Sequence, residues 1–109
     1  MTKSLLRPPS GLSAEHRRLW AELVAEYEIV DRGGLEILRS GLRSLAQAEA
    51  AEAIVTRDGS VQVDRFGQAK AHPLLAVARD FRAQWQQALR NMNLDVTPAQ
   101  PGPGRPVGR

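Results

Sequence analysis

The sequence predicts an all-α protein: a helical hairpin plus a third helix, with a short turn-rich extended segment before the third helix and disordered basic ends. Three observations predict it. Apolar side chains recur at three-four spacing in three separate stretches, each stretch opens on residues suited to a helix start, and proline and glycine collect at the two ends of the chain.

The first helix is expected over 14–29. Ser13 can accept a hydrogen bond from an unpaired first-turn N–H, and Glu15 suits the positive end of the helix dipole. The apolar positions Leu19, Trp20, Leu23, Val24, Tyr27 and Val30 recur at helical spacing. Glu22, Glu26 and Glu28 make its outer side acidic, so nucleic acid is repelled from its middle, while Arg17 and Arg18 fall near its start.

Asp31 is the N-cap of a second helix, ahead of Arg32-Gly33-Gly34. Leu35, Leu38, Leu42 and Leu45 then repeat, Glu49 breaks the stripe, and the apolar side shifts to Ala46, Ala50, Ala53 and Ile54, which carries the helix to Val55. A second stripe of small residues, Gly41, Ser44, Ala48 and Ala51, permits another helix to approach closely. Glycine inside a helix costs roughly 1 kcal/mol relative to alanine, so Gly41 is expected to have a packing reason.

Thr56-Arg57-Asp58-Gly59 is turn chemistry, with Gly59 supplying positive φ. Val61 and Val63 alternate with polar neighbours as a short extended segment, too little for a sheet, and Phe66 is expected to anchor the loop before Gly67. His72-Pro73 opens the third helix, because proline is favoured at the first helical position and His72 can cap it. Leu74, Ala78, Phe81, Trp85, Ala88 and Met92 follow at helical spacing, and Asn93 can end the helix in a left-handed conformation with Leu94 folding back. The organisation expected is a mobile basic arm over 1–12, a helical oligomerisation domain over 13–95 and a disordered Pro/Gly-rich basic tail over 96–109.

A chain of 109 residues is one domain at most, and a small one buries a modest fraction of its surface, which makes self-association a live option. With no cysteine and only His16 and His72, a zinc enzyme has almost no ligands to draw on; neither metal nor cofactor is expected. His16, in the first turn of the first helix, reads as a solvated or capping residue. His72, with Asp64 and Ser60 nearby in the chain, reads as a helix cap before it reads as part of a triad. Gly33-Gly34 has neither Walker nor GxGxxG spacing and no strand before it, so it reads as a tight connection between helices. No apolar run approaches the roughly 18–20 residues that span a bilayer. A soluble intracellular protein that is not an enzyme is expected.

The formal net charge is +3, and of the 15 basic residues 13 are arginine. Arginine makes bidentate contacts with phosphate and guanine, so the bias leans toward nucleic acid. Lys3, Arg7, Arg17, Arg18, Arg105 and Arg109 are the residues expected to touch DNA. Gly104-Arg105-Pro106 resembles the centre of a minor-groove hook, with an inert tail as the alternative. Arg39 with Arg43, and Arg79 with Arg82, can each meet two adjacent phosphates, or form a solvated face in which intrahelical or intersubunit ion pairing, with Glu36 one turn before Arg39 and Asp80 beside Arg79, uses up part of the charge. Trp20, Leu38, Leu42, Leu45, Phe81, Trp85 and Met92 are expected to carry packing within or between subunits.

The run Leu19-Trp20 with Leu23, then Tyr27-Glu28-Ile29-Val30-Asp31 leading to Gly34-Leu35 and a long alanine-rich helix, resembles the small terminase subunit of tailed bacteriophages. The resemblance continues through Asp58-Gly59, Asp64-Arg65-Phe66-Gly67-Gln68, His72-Pro73, Arg79, Asn93-Leu94 and Pro98, and covers about 19–98. It implies a non-enzymatic factor of the infected bacterial cytoplasm. Such a subunit forms a homo-oligomeric ring, recognises double-stranded viral DNA at the packaging start and delivers it to the large terminase subunit, which carries the ATPase and nuclease. Many small terminases hold an N-terminal helix-turn-helix, for which the residues before Ser13 leave no room. DNA recognition is therefore expected to rest on the arm, the tail, the exposed arginines or ring geometry. The alternative class is a head-assembly or adaptor protein that oligomerises without binding DNA.

Overall fold

The computed structural model describes residues 7–94. Three helices dominate it: α1 (Ala14–Glu26), α2 (Arg32–Asp58) and α3 (Pro73–Asn91). Between α2 and α3 lie strands β1 (Val61–Val63) and β2 (Ala69–Ala71), paired antiparallel with Val61 opposite Ala71 and Val63 opposite Ala69. The protein is thus mostly helical, as expected, but the extended segment is one half of a two-stranded sheet, so the fold is not purely α. The partner strand, Ala-Lys-Ala, lacks the β-branched residues that mark a strand.

Each helix begins at the residue that its cap dictates. The Ser13 hydroxyl accepts from the His16 N–H at 3.1 Å, the Asp31 carboxylate accepts from the Gly34 N–H at 2.7 Å, and the His72 imidazole accepts from the Leu74 N–H at 3.0 Å. Two of the ends differ from expectation. α1 stops at Glu26, short of Ile29, because Glu28 turns left-handed at φ 52° and the Ile29 N–H reaches back to the Val24 carbonyl at 3.1 Å. Ile29 remains buried, but as the residue that closes the cap. α2 runs past Val55 through Thr56-Arg57-Asp58, since nothing in that run breaks a helix before Gly59 at φ 93°. α3 ends as expected: Asn93 adopts φ 60° and the Leu94 N–H donates to the Leu89 carbonyl at 2.9 Å.

Both α1 and α3 lie along α2. Leu35, Leu38 and Leu42 are fully buried, and Leu45, Trp20, Leu23, Ile29 and Leu12 complete the core. Trp85 and Met92 pack against it half-buried, and Phe81 is half-buried beside the polar groove between α2 and α3. The small-residue stripe does what its spacing implied. Gly41, Ser44, Ala48 and Ala51 are all buried, and a Cβ on Gly41 would meet the Ala88 Cβ at 2.7 Å and the Trp85 ring at 3.0 Å. The Ser44 hydroxyl donates to Gln84 at 3.0 Å, and Arg82 grips Glu52 with two bonds of 2.9 Å each.

The arm expected over 1–12 is in part folded onto the body: Pro9 and Leu12 are buried, and Arg17 donates to the Leu12 carbonyl at 2.6 Å. Lys3 and the tail over 96–109, with Arg105 and Arg109, lie outside the described residues. The body is thin and elongated, 55 × 42 × 19 Å, with a radius of gyration of 17.8 Å against about 13 Å for a compact domain of this length.

Candidate interaction surfaces

Phe66 does not anchor its loop. It is 74% exposed, and the loop is built instead by Asp64, whose side chain accepts from the Phe66 N–H at 2.8 Å and the Gln68 N–H at 3.0 Å. Gly67 at φ 80° completes the turn, and its N–H donates to the Asp64 carbonyl. The hairpin is inside out. Val61, Val63, Ala69 and Ala71 share one face by register and are all exposed, the valines at 60% and 70%, while Gln62 on the other face is half-buried and donates to the Asp58 carbonyl. Leu75 and Val77 at the start of α3 add further exposed apolar surface.

A second feature lies at the far end of α2. Two left-handed caps, at Glu28 and Asn93, fold Ile29 and Leu94 back toward the start of α2 and leave a cleft of about 500 Å³ between them. Half-buried Tyr27, Ile37, Met92 and Leu94 give it apolar walls, and Glu28 and Asp31 give it a negative rim.

The arginines divide into those spent on the fold and those left over. Arg82 is held by Glu52 across the α2–α3 interface, which keeps the Glu52 carboxyl below its ordinary pKa and the Arg82 guanidinium above its own. Arg79 lies 3.8 Å from Asp80, Arg32 and Arg39 lie 3.9 and 3.7 Å from Glu36, and Arg39 also covers the buried Trp20 ring at 5.6 Å. Among the described residues, Arg7, Arg18, Arg43, Arg65 and Arg90 are exposed with no carboxylate in ion-pairing distance, although Arg18 borders a cleft with Glu15, Glu22 and Glu49, Arg65 lies over the Phe66 ring and Arg90 donates to Gln87. Arg17 is exposed but tied to the Leu12 carbonyl. Of the chain's 15 basic and 12 acidic residues, only Lys3, Arg105, Arg109 and Asp95 fall outside the described body, which is therefore close to neutral.

Both histidines are structural in placement. The His72 ring is buried, its Nδ1 accepts from the Leu74 N–H, and its Nε2–H donates to the Asp58 carboxylate at 3.0 Å. Both ring nitrogens are thus occupied by partners within the protein. Asp64 is occupied by the hairpin turn, so Asp64, Ser60 and His72 do not converge through their side chains; the His72 backbone N–H donates to the Ser60 carbonyl. Arg57 first, and His72 second, hold Asp58 down at a pKa of about 2. His16 corrects the expectation of a solvated or capping side chain: it is 5% exposed, with Nε2 2.9 Å from Glu49 of α2. That pairing joins residues 33 positions apart and leaves no mark at either position in the sequence.

Among the described residues no cluster of three or more His, Asp or Glu is placed to hold a metal ion, and no helix is long and apolar enough to cross a membrane. Comparison with protein-family profiles, with characterised proteins and with solved structures gives no match.

Proposed function

We propose that this chain is a small-terminase-type subunit: a non-catalytic protein of the infected bacterial cytoplasm that assembles into a homo-oligomeric ring, binds double-stranded viral DNA and delivers it to the large terminase subunit. The observation that carries the assembly half is apolar surface left uncovered in one copy. Val61, Val63 and Phe66 are 60–74% exposed on a preorganised hairpin of a body only 19 Å thick. Apolar surface of this kind belongs against a partner.

The DNA half rests on the sequence resemblance and on where charge is left over. The body is nearly neutral, so the surplus resides in Lys3, Arg7, Arg105 and Arg109, helped by Arg17 and Arg18 at one end of α1. A single copy with so few free cations binds phosphate weakly. Several copies around one axis combine their contacts, and the pooled affinity falls steeply with salt. Light scattering combined with titration of duplex DNA at two salt concentrations tests the reading. It requires a multimer with strongly salt-dependent affinity.

The commitment of Arg82, Arg39, Arg32 and Arg79 to nearby carboxylates favours one rival: a head-assembly or adaptor protein that uses the same apolar surface without DNA. That protein would form the multimer and show no salt-dependent DNA affinity.

A further inference from the structure

We propose that the hairpin tip of one copy is the knob of a head-to-tail contact whose socket is the cleft at the opposite end of α2 in the next copy, so that the partner of each surface is a second copy of this chain. The inference rests on the oligomeric reading above and adds to it the surfaces, the polarity and the residues.

Phe66 stands exposed on a turn made rigid by three hydrogen bonds to Asp64, with the Arg65 guanidinium 5.0 Å over its ring. It is an aromatic anchor with an attached positive charge, already fixed in shape before any partner arrives. The socket offers the complement: apolar walls from Tyr27, Ile37, Met92 and Leu94, a rim of Glu28 and Asp31, and about 500 Å³ of space, ample for one aromatic ring and its flanking arginine.

Knob and socket lie at opposite ends of the 27-residue α2, about 40 Å apart, so a chain cannot fill its own socket with its own hairpin. Joining unlike surfaces on successive copies gives a heterologous interface, which forms a ring where the rotation closes and an open filament where it does not. Val61, Val63, Ala69 and Ala71 share one exposed face of the same hairpin as the knob.

The charge pair supplies the test. Arg65→Glu and Glu28→Arg should each weaken self-association about tenfold or more when studied alone by light scattering or sedimentation. Mixed in equal amounts they should assemble again. The knob of the first variant, now acidic, meets an arginine in place of Glu28 in the socket of the second, and the unaltered Arg65 of the second meets the unaltered Glu28 of the first. The absence of native cysteine allows a second readout. Arg65→Cys with Glu28→Cys in one chain should give a ladder of covalent multimers on mild oxidation, whereas Arg65→Cys alone should give none.

Covalent dimers from Arg65→Cys alone would mean that two hairpins face each other, and would overturn the proposal. Native assembly of both charge variants, with no ladder from the double-cysteine chain, would overturn it too; this is the result expected if residues 95–109 fill the socket. A native chain that remains single defeats the oligomeric reading itself. A native multimer indifferent to these changes defeats only this contact.

Discussion

Gly41 of α2 lies so close to α3 that a Cβ added to it would stand 2.7 Å from the Ala88 Cβ, a clash that no flexible side chain can relieve. Gly41→Ala should therefore destabilise the protein by about 1–3 kcal/mol, even though alanine favours a helix by roughly 1 kcal/mol. Thermal unfolding measures the loss. Adding Ala88→Gly should recover part of it, and an increase in stability from Gly41→Ala alone would show that the helices are not in close contact.

His72 joins the first turn of α3 to the last turn of α2 through Leu74 and Asp58. Replacing it with alanine removes a cap, for about 1 kcal/mol, and leaves Asp58 without one of its partners. Asparagine restores a capping acceptor but not the link to Asp58. Melting temperatures should rank wild type, His72→Asn, His72→Ala, and equal values for all three would contradict the assignment.

Asp58 makes a distinct prediction in acid. Its folded-state pKa of about 2, set by Arg57 first and His72 second, lies below the ordinary aspartate value, so its contribution is complete above about pH 4. It is lost as pH falls from there toward 2. Asp58→Asn should flatten the stability profile in that window; a profile identical to wild type would exclude the linkage.

How much of this is legible in the sequence follows from the range of each interaction. Ser13, Asp31 and His72-Pro73 announce the helix starts, and Asn93 announces an end, because caps are local. The small-residue stripe announces close packing because one helix face suffices to display it. The end of α1 is not legible, since a left-handed Glu28 is an unusual cap and Val30 keeps the apolar spacing although it lies outside the helix and is 64% exposed. Thr56-Arg57-Asp58 carries turn-forming residues, but Asp58 is drawn to Arg57 and to His72, 14 positions away. An aromatic side chain is ordinarily buried, which makes Phe66 an expected anchor; its exposure depends on the Asp64 turn and the inverted hairpin face. The socket joins residues 27–37 to residues 91–94, which no spacing within one helix can reveal.

The arginines separate by partner. Arg82→Ala should cost up to about 1 kcal/mol of stability, given the half-exposed bridge to Glu52, with DNA affinity unchanged. Exchanging Lys3, Arg7, Arg105 and Arg109 for glutamine should instead lower DNA affinity and reduce the slope of log K against log salt by about 0.9 for each phosphate no longer neutralised, with stability unchanged. Substitution is preferable to deletion of 1–12, because Pro9 and Leu12 belong to the core. An undiminished salt slope would move the DNA-binding surface elsewhere.

The native mass tests the central claim most directly. Sedimentation or native mass spectrometry at high protein concentration and low salt should find a defined multiple of the 12.0 kDa chain. A single species of 12.0 kDa under those conditions would mean that Val61, Val63 and Phe66 face water by design, and would contradict the account.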